Sequence, residues 1–149
     1  MINVNSVRLY LPDDLLGPRV GNDVQPLADY IKSLENRTVE YWSSHDPENA
    51  NGLLIAIGVK PNGESRAWCD ALDGTVSDKT LRDFEAQMAL VPSVKVKDGP
   101  IAFAIEVAFA GRSVSIFPEI PTAWSSAARD AKKTMMIPDD LFTRLWPDS

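Results

Sequence analysis

The run from Ile101 to Ala110 is the part of this sequence that most limits the fold. Large apolar side chains alternate in it with alanines, and Glu106 is its one charged residue. Successive side chains of a β-strand point to opposite faces of the sheet, so the run predicts a strand that is apolar on both faces. Such a strand is typical of the centre of a sheet, with both faces covered at least in part.

A β-hairpin is predicted before this strand. Leu53 to Lys60 alternates in the same way, and the segment Pro61-Asn62-Gly63-Glu64 places glycine where a turn needs positive φ. Ser65 to Ala71 then returns as the second strand of the hairpin. After the long apolar run, Gly111-Arg112 turns the chain, and Ser113 to Phe117 is predicted to be a short last strand.

Apolar residues at the spacing of an amphipathic helix mark four further segments. They are Asp23 to Trp42, a segment that Ser77 caps and that ends before Pro92, a segment that Thr122 can cap, and a brief one that begins at Pro138. Together these elements predict an α+β fold with a mainly antiparallel sheet of about four strands. A ββαββ core in residues 53–117 carries an N-terminal helix and C-terminal helices packed on it.

Composition fits a single domain, residues 1–149. With 44% hydrophobic and 24% charged residues, a chain of this length can bury a real core. The prolines are scattered singly, so no linker divides the chain. One cysteine and one histidine exclude a disulfide scaffold and a structural zinc site.

Charge and hydropathy argue against nucleic acid and membranes as partners. The 15 basic and 21 acidic residues give a net charge of −6, which disfavours nucleic acid. No run approaches the roughly 20 apolar residues of a membrane span, so no membrane insertion is expected. The first residues contain no basic segment before an apolar stretch, which indicates a cytoplasmic protein, or a periplasmic one if a signal segment was removed before Met1.

The sequence offers few groups for chemistry. Cys69 and His45 are the only candidates for a nucleophilic dyad, but Cys69 lies in the middle of a predicted strand, where a buried structural thiol is the commoner outcome. Asp13, Asp14, Asp139 and Asp140 follow two similar prolines and do not have the spacing of a calcium loop. Glycine-rich phosphate motifs are absent. We therefore expect no catalytic residues, no metal, no cofactor and no enzymatic activity.

Trp68, Arg66 and Glu106 are the candidate binding residues. An ionised carboxylate among alanines is costly unless it is paired, so Glu106 is predicted to lie at the rim of the sheet or to pair with Arg66 or Lys60, or else to face a ligand. Trp68 alternates with Arg66 and Asp70. Either a helix covers its face of the sheet, or the ring is available to a partner. The other tryptophans, Trp42, Trp124 and Trp146, are expected in the core.

A succession of turns and apolar segments carries a family resemblance. The stretches are Ile57-Gly58-Val59-Lys60-Pro61-Asn62-Gly63-Glu64, Leu72-Asp73-Gly74, Val91-Pro92-Ser93 and Asp98-Gly99-Pro100-Ile101-Ala102-Phe103. In this order, with a helix from Leu81 to Leu90, residues 53–109 resemble the C-terminal domain of TonB-type energy transducers. The resemblance implies a non-enzymatic module that binds a peptide at a sheet edge, in a bacterial envelope context. The family's membrane anchor and Pro-rich spacer have no counterpart here, so energy transduction is not implied.

Three functional hypotheses follow. The first is a protein-binding module with a TonB-like core. The second is a small acidic inhibitor or immunity-type protein that binds a basic enzyme, because residues 1–75 contain 6 basic and 11 acidic side chains. The third is a hydrolase that depends on Cys69 and His45.

Overall fold

A computed structural model describes residues 2–11, 13–118 and 120–130, together with Asp139, Phe142 and Trp146. Eight helices and strands are described in this part of the chain. In chain order they are β1 (Ile2–Leu9), α1 (Asp13–Arg19), α2 (Gln25–Ser43), β2 (Gly52–Val59), β3 (Ser65–Leu72), α3 (Asp78–Ala89), β4 (Ile101–Phe109) and α4 (Thr122–Asp130).

The four strands form one antiparallel sheet in the order β1-β4-β2-β3. The strand β4 pairs with β1 on one side and with β2 on the other, and all nine of its residues are buried. The prediction of a central strand apolar on both faces is therefore confirmed, as is the α+β class with helices packed on an antiparallel sheet.

Each face of the sheet has its own cover. The helix-pair face carries the large residues of β4, and α2 and α3 pack on it; for example, the ring centroids of Trp42 and Phe109 lie 5.4 Å apart. The aromatic face carries the alanines of β4, and Trp124 of α4 packs there with Phe142 and Trp146. A sheet enclosed in this way exposes its backbone only along its two edge strands.

The helices that form the first of these covers occur where the sequence predicts them. The helix predicted from Asp23 to Trp42 is observed as α2, which begins at Gln25 and whose buried stripe includes Leu27, Leu34 and Tyr41. Ser77 is the residue before α3, as expected, although its side chain makes no capping hydrogen bond. The helix α2 is not the N-terminal element, however, because β1 and α1 precede it.

The prediction of a strand at Ser113 to Phe117 is wrong. This segment has no strand structure, and it is tied down by other bonds: the N–H of Ser115 donates to an Asp73 carboxylate oxygen at 2.6 Å. The physical reason is that both edges of β4 are already occupied, one by β2 and the other by β1. The fourth strand of the sheet is β1, in the N-terminal segment, for which the sequence analysis predicted no element.

The strand β1 contains a β-bulge. Its register against β4 shifts between Val4 and Ser6, which leaves Asn5 without a partner. Ile2 and Val4 face the helix-pair side before the bulge, and Val7 and Leu9 face it afterwards. The apolar alternation therefore slips by one residue in the middle of the strand.

Of the two helices predicted in the C-terminal part of the chain, the structure describes the first. The helix α4 begins at Thr122, where the sequence placed it. The predicted helix from Pro138 to Trp146 lies mostly outside the described residues. Within the described part of the chain, no helix is both long and apolar enough to cross a membrane.

Candidate functional site

The edge of the sheet at β3 is closed by side chains of α3. The N–H of Cys69, which points away from β2, donates to a carboxylate oxygen of Glu85 at 2.7 Å, and the Cys69 carbonyl accepts from the Arg82 guanidinium at 3.3 Å. The two side chains pair with each other at 2.9 Å. At Cys69 this ion pair takes the place of a neighbouring strand, so α3 covers the middle of the β3 edge.

At the opposite edge of the sheet, alternate residues of β1 direct their backbone groups away from β4. The N–H of Tyr10 donates to the carbonyl of Ala102 at 3.2 Å. Because backbone groups alternate in direction along an antiparallel strand, Arg8 also faces β4, and Val7 and Leu9 direct their N–H and C=O groups away from the sheet. No described hydrogen bond outside the sheet ladder reaches the backbone of Val7 or Leu9.

The side chains of these two residues are also accessible. Val7 is 36% exposed and Leu9 is 47% exposed, and both lie on the helix-pair face opposite Ile105 and Phe103. We use "β1 edge" for the outward backbone of Val7 and Leu9 together with their side chains. It combines unpaired backbone donors and acceptors with apolar contact area.

Glu106 lies next to the β1 edge, on the aromatic face. Its carboxylate accepts hydrogen bonds from the Ser6 hydroxyl and, at 2.9 Å, from the Arg8 guanidinium. The Glu106 side chain is 8% exposed and that of Arg8 is 36% exposed. The sequence correctly predicts a paired Glu106, but the predicted partners Arg66 and Lys60 are wrong: the partners come from β1.

The predicted Trp68 lies beneath the cover of the aromatic face. Its ring is buried against Trp124, Phe142 and Trp146, at centroid distances of 5.3, 5.6 and 6.0 Å. The covered alternative is therefore the observed one. Arg66 is exposed and its guanidinium lies 5.0 Å from the Trp68 ring centroid. Glu106 shares this face but is separated from both by β2, so the three residues do not form one site.

Two shallow grooves adjoin at Pro92 and Ser93, near Arg66. They have volumes of about 410 and 490 Å³. The phenol of Tyr30, which lines the larger groove, is buried and has no hydrogen-bond partner in the described structure. Burial raises the pKa of Tyr30 to about 12. The tyrosine is therefore neutral and offers no base for catalysis.

Cys69 and His45 do not form a dyad. Burial raises the pKa of the Cys69 thiol well above its ordinary value, and the nearby carboxylates of Glu85 and Asp70 add to the shift. The imidazole of His45 stacks on the Tyr41 ring at 3.9 Å, and its Nδ1 lies 2.8 Å from the Tyr41 carbonyl oxygen. No described hydrogen bond joins the imidazole to the thiol.

Of the aspartates considered as a cation site, Asp139 has another role. Both carboxylate oxygens of Asp139 bind the buried guanidinium of Arg19, at 2.7 and 3.1 Å. Among the described residues, no group of three or more histidine, cysteine or acidic side chains is placed to hold a metal ion.

Sequence reasoning missed Ser6, Val7, Arg8 and Leu9, the residues that form and flank the β1 edge. Their signal is present but interrupted. Apolar and polar residues alternate up to Val4 and again from Ser6, but the extra residue Asn5 shifts the second part by one position. No single two-residue period therefore spans the strand. A search that allows one bulge would identify the strand.

Comparisons of the chain with protein-family models, with curated proteins and with solved structures gave no match. The resemblance of residues 53–109 to the TonB C-terminal domain therefore stays a prediction. The functional interpretation rests on the geometry and chemistry of the described residues.

Proposed function

We propose that this protein is a non-enzymatic binding module that takes up an extended segment of a partner protein as a fifth strand at the β1 edge. Strand addition supplies affinity through main-chain hydrogen bonds, and alternate side chains supply specificity. This is also the binding mode that the TonB resemblance implies.

The contrast between the two sheet edges carries the proposal. At β3, Glu85 and Arg82 satisfy the outward N–H and C=O of Cys69. At β1, the outward groups of Val7 and Leu9 have no such partners among the described residues, and their apolar side chains are accessible. A fold that covers the middle of one edge with a partly exposed ion pair of α3 and leaves the other edge uncovered favours the uncovered edge as the binding surface.

The bulge limits what can bind. Because Asn5 interrupts the register of β1, a long flat strand cannot pair with the whole of it. The usable edge is the short segment after the bulge, which favours a short partner segment over edge-to-edge association of two whole sheets.

The acidic-inhibitor alternative has less support. Asp23 precedes α2, whereas Asp46 and Glu48 follow its end, and the 19 residues of this helix span about 28 Å at about 1.5 Å per residue. Glu48 is in part structural, because its carboxylate accepts the N–H of Ser77 at 2.5 Å. These acidic residues are thus spread over the length of α2. The hydrolase alternative has less support because the Cys69 thiol is buried and protonated.

The test uses short extended peptides selected by the folded protein from a displayed random library, and the substitution Val7→Pro. Proline at this position removes an N–H that points away from the sheet, so the ladder to β4 is kept. The matched control is Val7→Thr, which keeps both the N–H and the β-branched shape.

We expect Val7→Pro to weaken binding of the selected peptides at least about tenfold, the equivalent of one lost main-chain hydrogen bond. Val7→Thr should stay within about twofold of the wild type, since a small exposed apolar loss is worth a few tenths of a kcal/mol. Thermal unfolding of both variants should stay close to the wild type. Failure to select any peptide, or equal binding by the wild type and Val7→Pro, would refute the proposal.

A further inference from the structure

Arg8 is placed to contact any strand that is added at the β1 edge. It lies between Val7 and Leu9 in sequence, and its register partner is Ala104, so its side chain projects on the aromatic face while theirs project on the helix-pair face. Directly opposite residues of neighbouring antiparallel strands have Cβ atoms about 5 Å apart. A residue of the added strand next to Arg8 is thus within reach of its guanidinium.

Among the described residues, the guanidinium of Arg8 is held by Glu106 alone. A carboxylate oxygen of Glu106 accepts from Arg8 Nη2 at 2.9 Å, and the Ser6 hydroxyl binds the other oxygen of the same carboxylate. The Glu106 side chain is almost fully buried, so it serves as a fixed anchor that orients Arg8. Glu106 acts here as a positioning residue.

None of the described residues engages the remaining donors of Arg8. A guanidinium carries five N–H donors in a planar fork, and Glu106 engages one nitrogen of it. No other interaction of Arg8 occurs within the described part of the chain. The fork geometry matches a carboxylate, which can accept from two N–H groups at once.

We propose that the partner strand carries an aspartate or glutamate that pairs with Arg8, flanked on both sides by apolar residues that pack on Val7 and Leu9. The inference rests on the proposed strand addition at the β1 edge and names the chemistry of its partner. Alternation along the added strand gives the pattern apolar, acidic, apolar. It is the complement of the Val7, Arg8 and Leu9 side chains.

Three synthetic peptides of the form acetyl-Ser-Thr-Val-Xaa-Val-Thr-Ser-amide, with Glu, Gln or Lys at Xaa, test this inference on the full chain. The wild type should bind the Glu peptide about fivefold more tightly than the Gln peptide, the upper range for a partly exposed ion pair. The Lys peptide should bind most weakly. Raising the salt concentration should shrink these ratios.

The double variant Arg8→Met/Glu106→Gln removes the guanidinium together with the carboxylate that orients it. Both substitutions are needed because Arg8→Met alone would leave a buried carboxylate unpaired. In this double variant the Glu and Gln peptides should bind equally, and the thermal unfolding midpoint confirms that the fold is kept. Arg8→Lys provides a second variant: it keeps the charge beside Glu106 but lacks the fork, so the preference for Glu should fall below that of the wild type.

The outcomes separate the two proposals. If all three peptides bind, and bind more weakly to Val7→Pro, but Glu has no advantage over Gln, then strand addition holds and the acidic partner is overturned. A preference for Glu that survives in the double variant also overturns the role of Arg8. If none of the peptides binds, or Val7→Pro binds them as well as the wild type does, the proposal of strand addition falls and takes this inference with it.

Discussion

Replacing Glu85 by alanine tests whether α3 closes the β3 edge. The Glu85 carboxylate accepts the N–H of Cys69 at 2.7 Å and pairs with Arg82 at 2.9 Å. Because Cys69 is almost fully buried, its amide cannot recover the lost bond from water. An orphaned buried donor costs about 1–3 kcal/mol, so we expect Glu85→Ala to lower the free energy of unfolding by about 2 kcal/mol.

Asp78 offers a matched control on the same arginine. It pairs with Arg82 at 3.5 Å, but its side chain is 86% exposed, against 15% for that of Glu85. An exposed helical ion pair contributes less than about 0.5 kcal/mol, so Asp78→Ala should be close to neutral. Both substitutions remove one negative charge that pairs with Arg82, but only Glu85→Ala removes the acceptor of a sheet amide.

Urea unfolding and amide hydrogen exchange measure the two consequences. Glu85→Ala should shift the unfolding midpoint to lower urea and accelerate exchange of the Cys69 amide about 30-fold, the equivalent of 2 kcal/mol. Asp78→Ala should change neither appreciably. Equal destabilisation by both variants, or an unchanged Cys69 exchange rate in Glu85→Ala, would refute the closed β3 edge.

Three further predictions concern pH, packing and the thiol. Burial raises the pKa of Glu85 above its ordinary value of 4.5, so the folded chain binds this proton more tightly than the unfolded chain does, and ionisation above about pH 4.5 lowers stability. The free energy of unfolding of the wild type minus that of Glu85→Gln should therefore fall as the pH rises towards 7 in urea titrations, and a rise would contradict the sign. A Cβ at Gly58 would lie 2.5 Å from the Phe142 ring, so Gly58→Ala should lower the free energy of unfolding by about 1–3 kcal/mol. In a double-mutant cycle, Phe142→Leu should relieve part of that loss. Losses that simply add would count against this packing. Cys69 should react with a thiol reagent only after unfolding, and rapid reaction of the native protein would show that the thiol is accessible.

The centre of the fold could be predicted from the sequence because its signals are local. The composition of the run from Ile101 to Phe109 indicates a central strand, since both sets of alternating residues are mainly apolar. The hairpin is set by its turn, in which Gly63 adopts a φ of 92° as expected. The helical stripes of α2 and α3 are equally local.

The candidate site could not be predicted because it depends on pairings between distant parts of the chain. Glu106 and its partner Arg8 are separated by 98 residues, and a strand with a bulge hides the second of them. Trp68 is covered by Phe142 and Trp146, which no local pattern indicates. The sequence therefore identified Glu106 as a residue that needs a partner, but it could not supply the partner or the edge on which the pair lies.

Amide hydrogen exchange at Val7, Arg8 and Leu9, with and without a selected peptide, tests the available β1 edge most directly. In the free protein, the Arg8 amide should be protected by β4, while the outward amides of Val7 and Leu9 exchange rapidly. Saturating peptide should slow exchange at Val7 and Leu9 at least about tenfold, since each gains a main-chain hydrogen bond. The account is contradicted if Val7 and Leu9 are already as protected as Arg8 in the free protein, or if the bound peptide leaves their exchange unchanged.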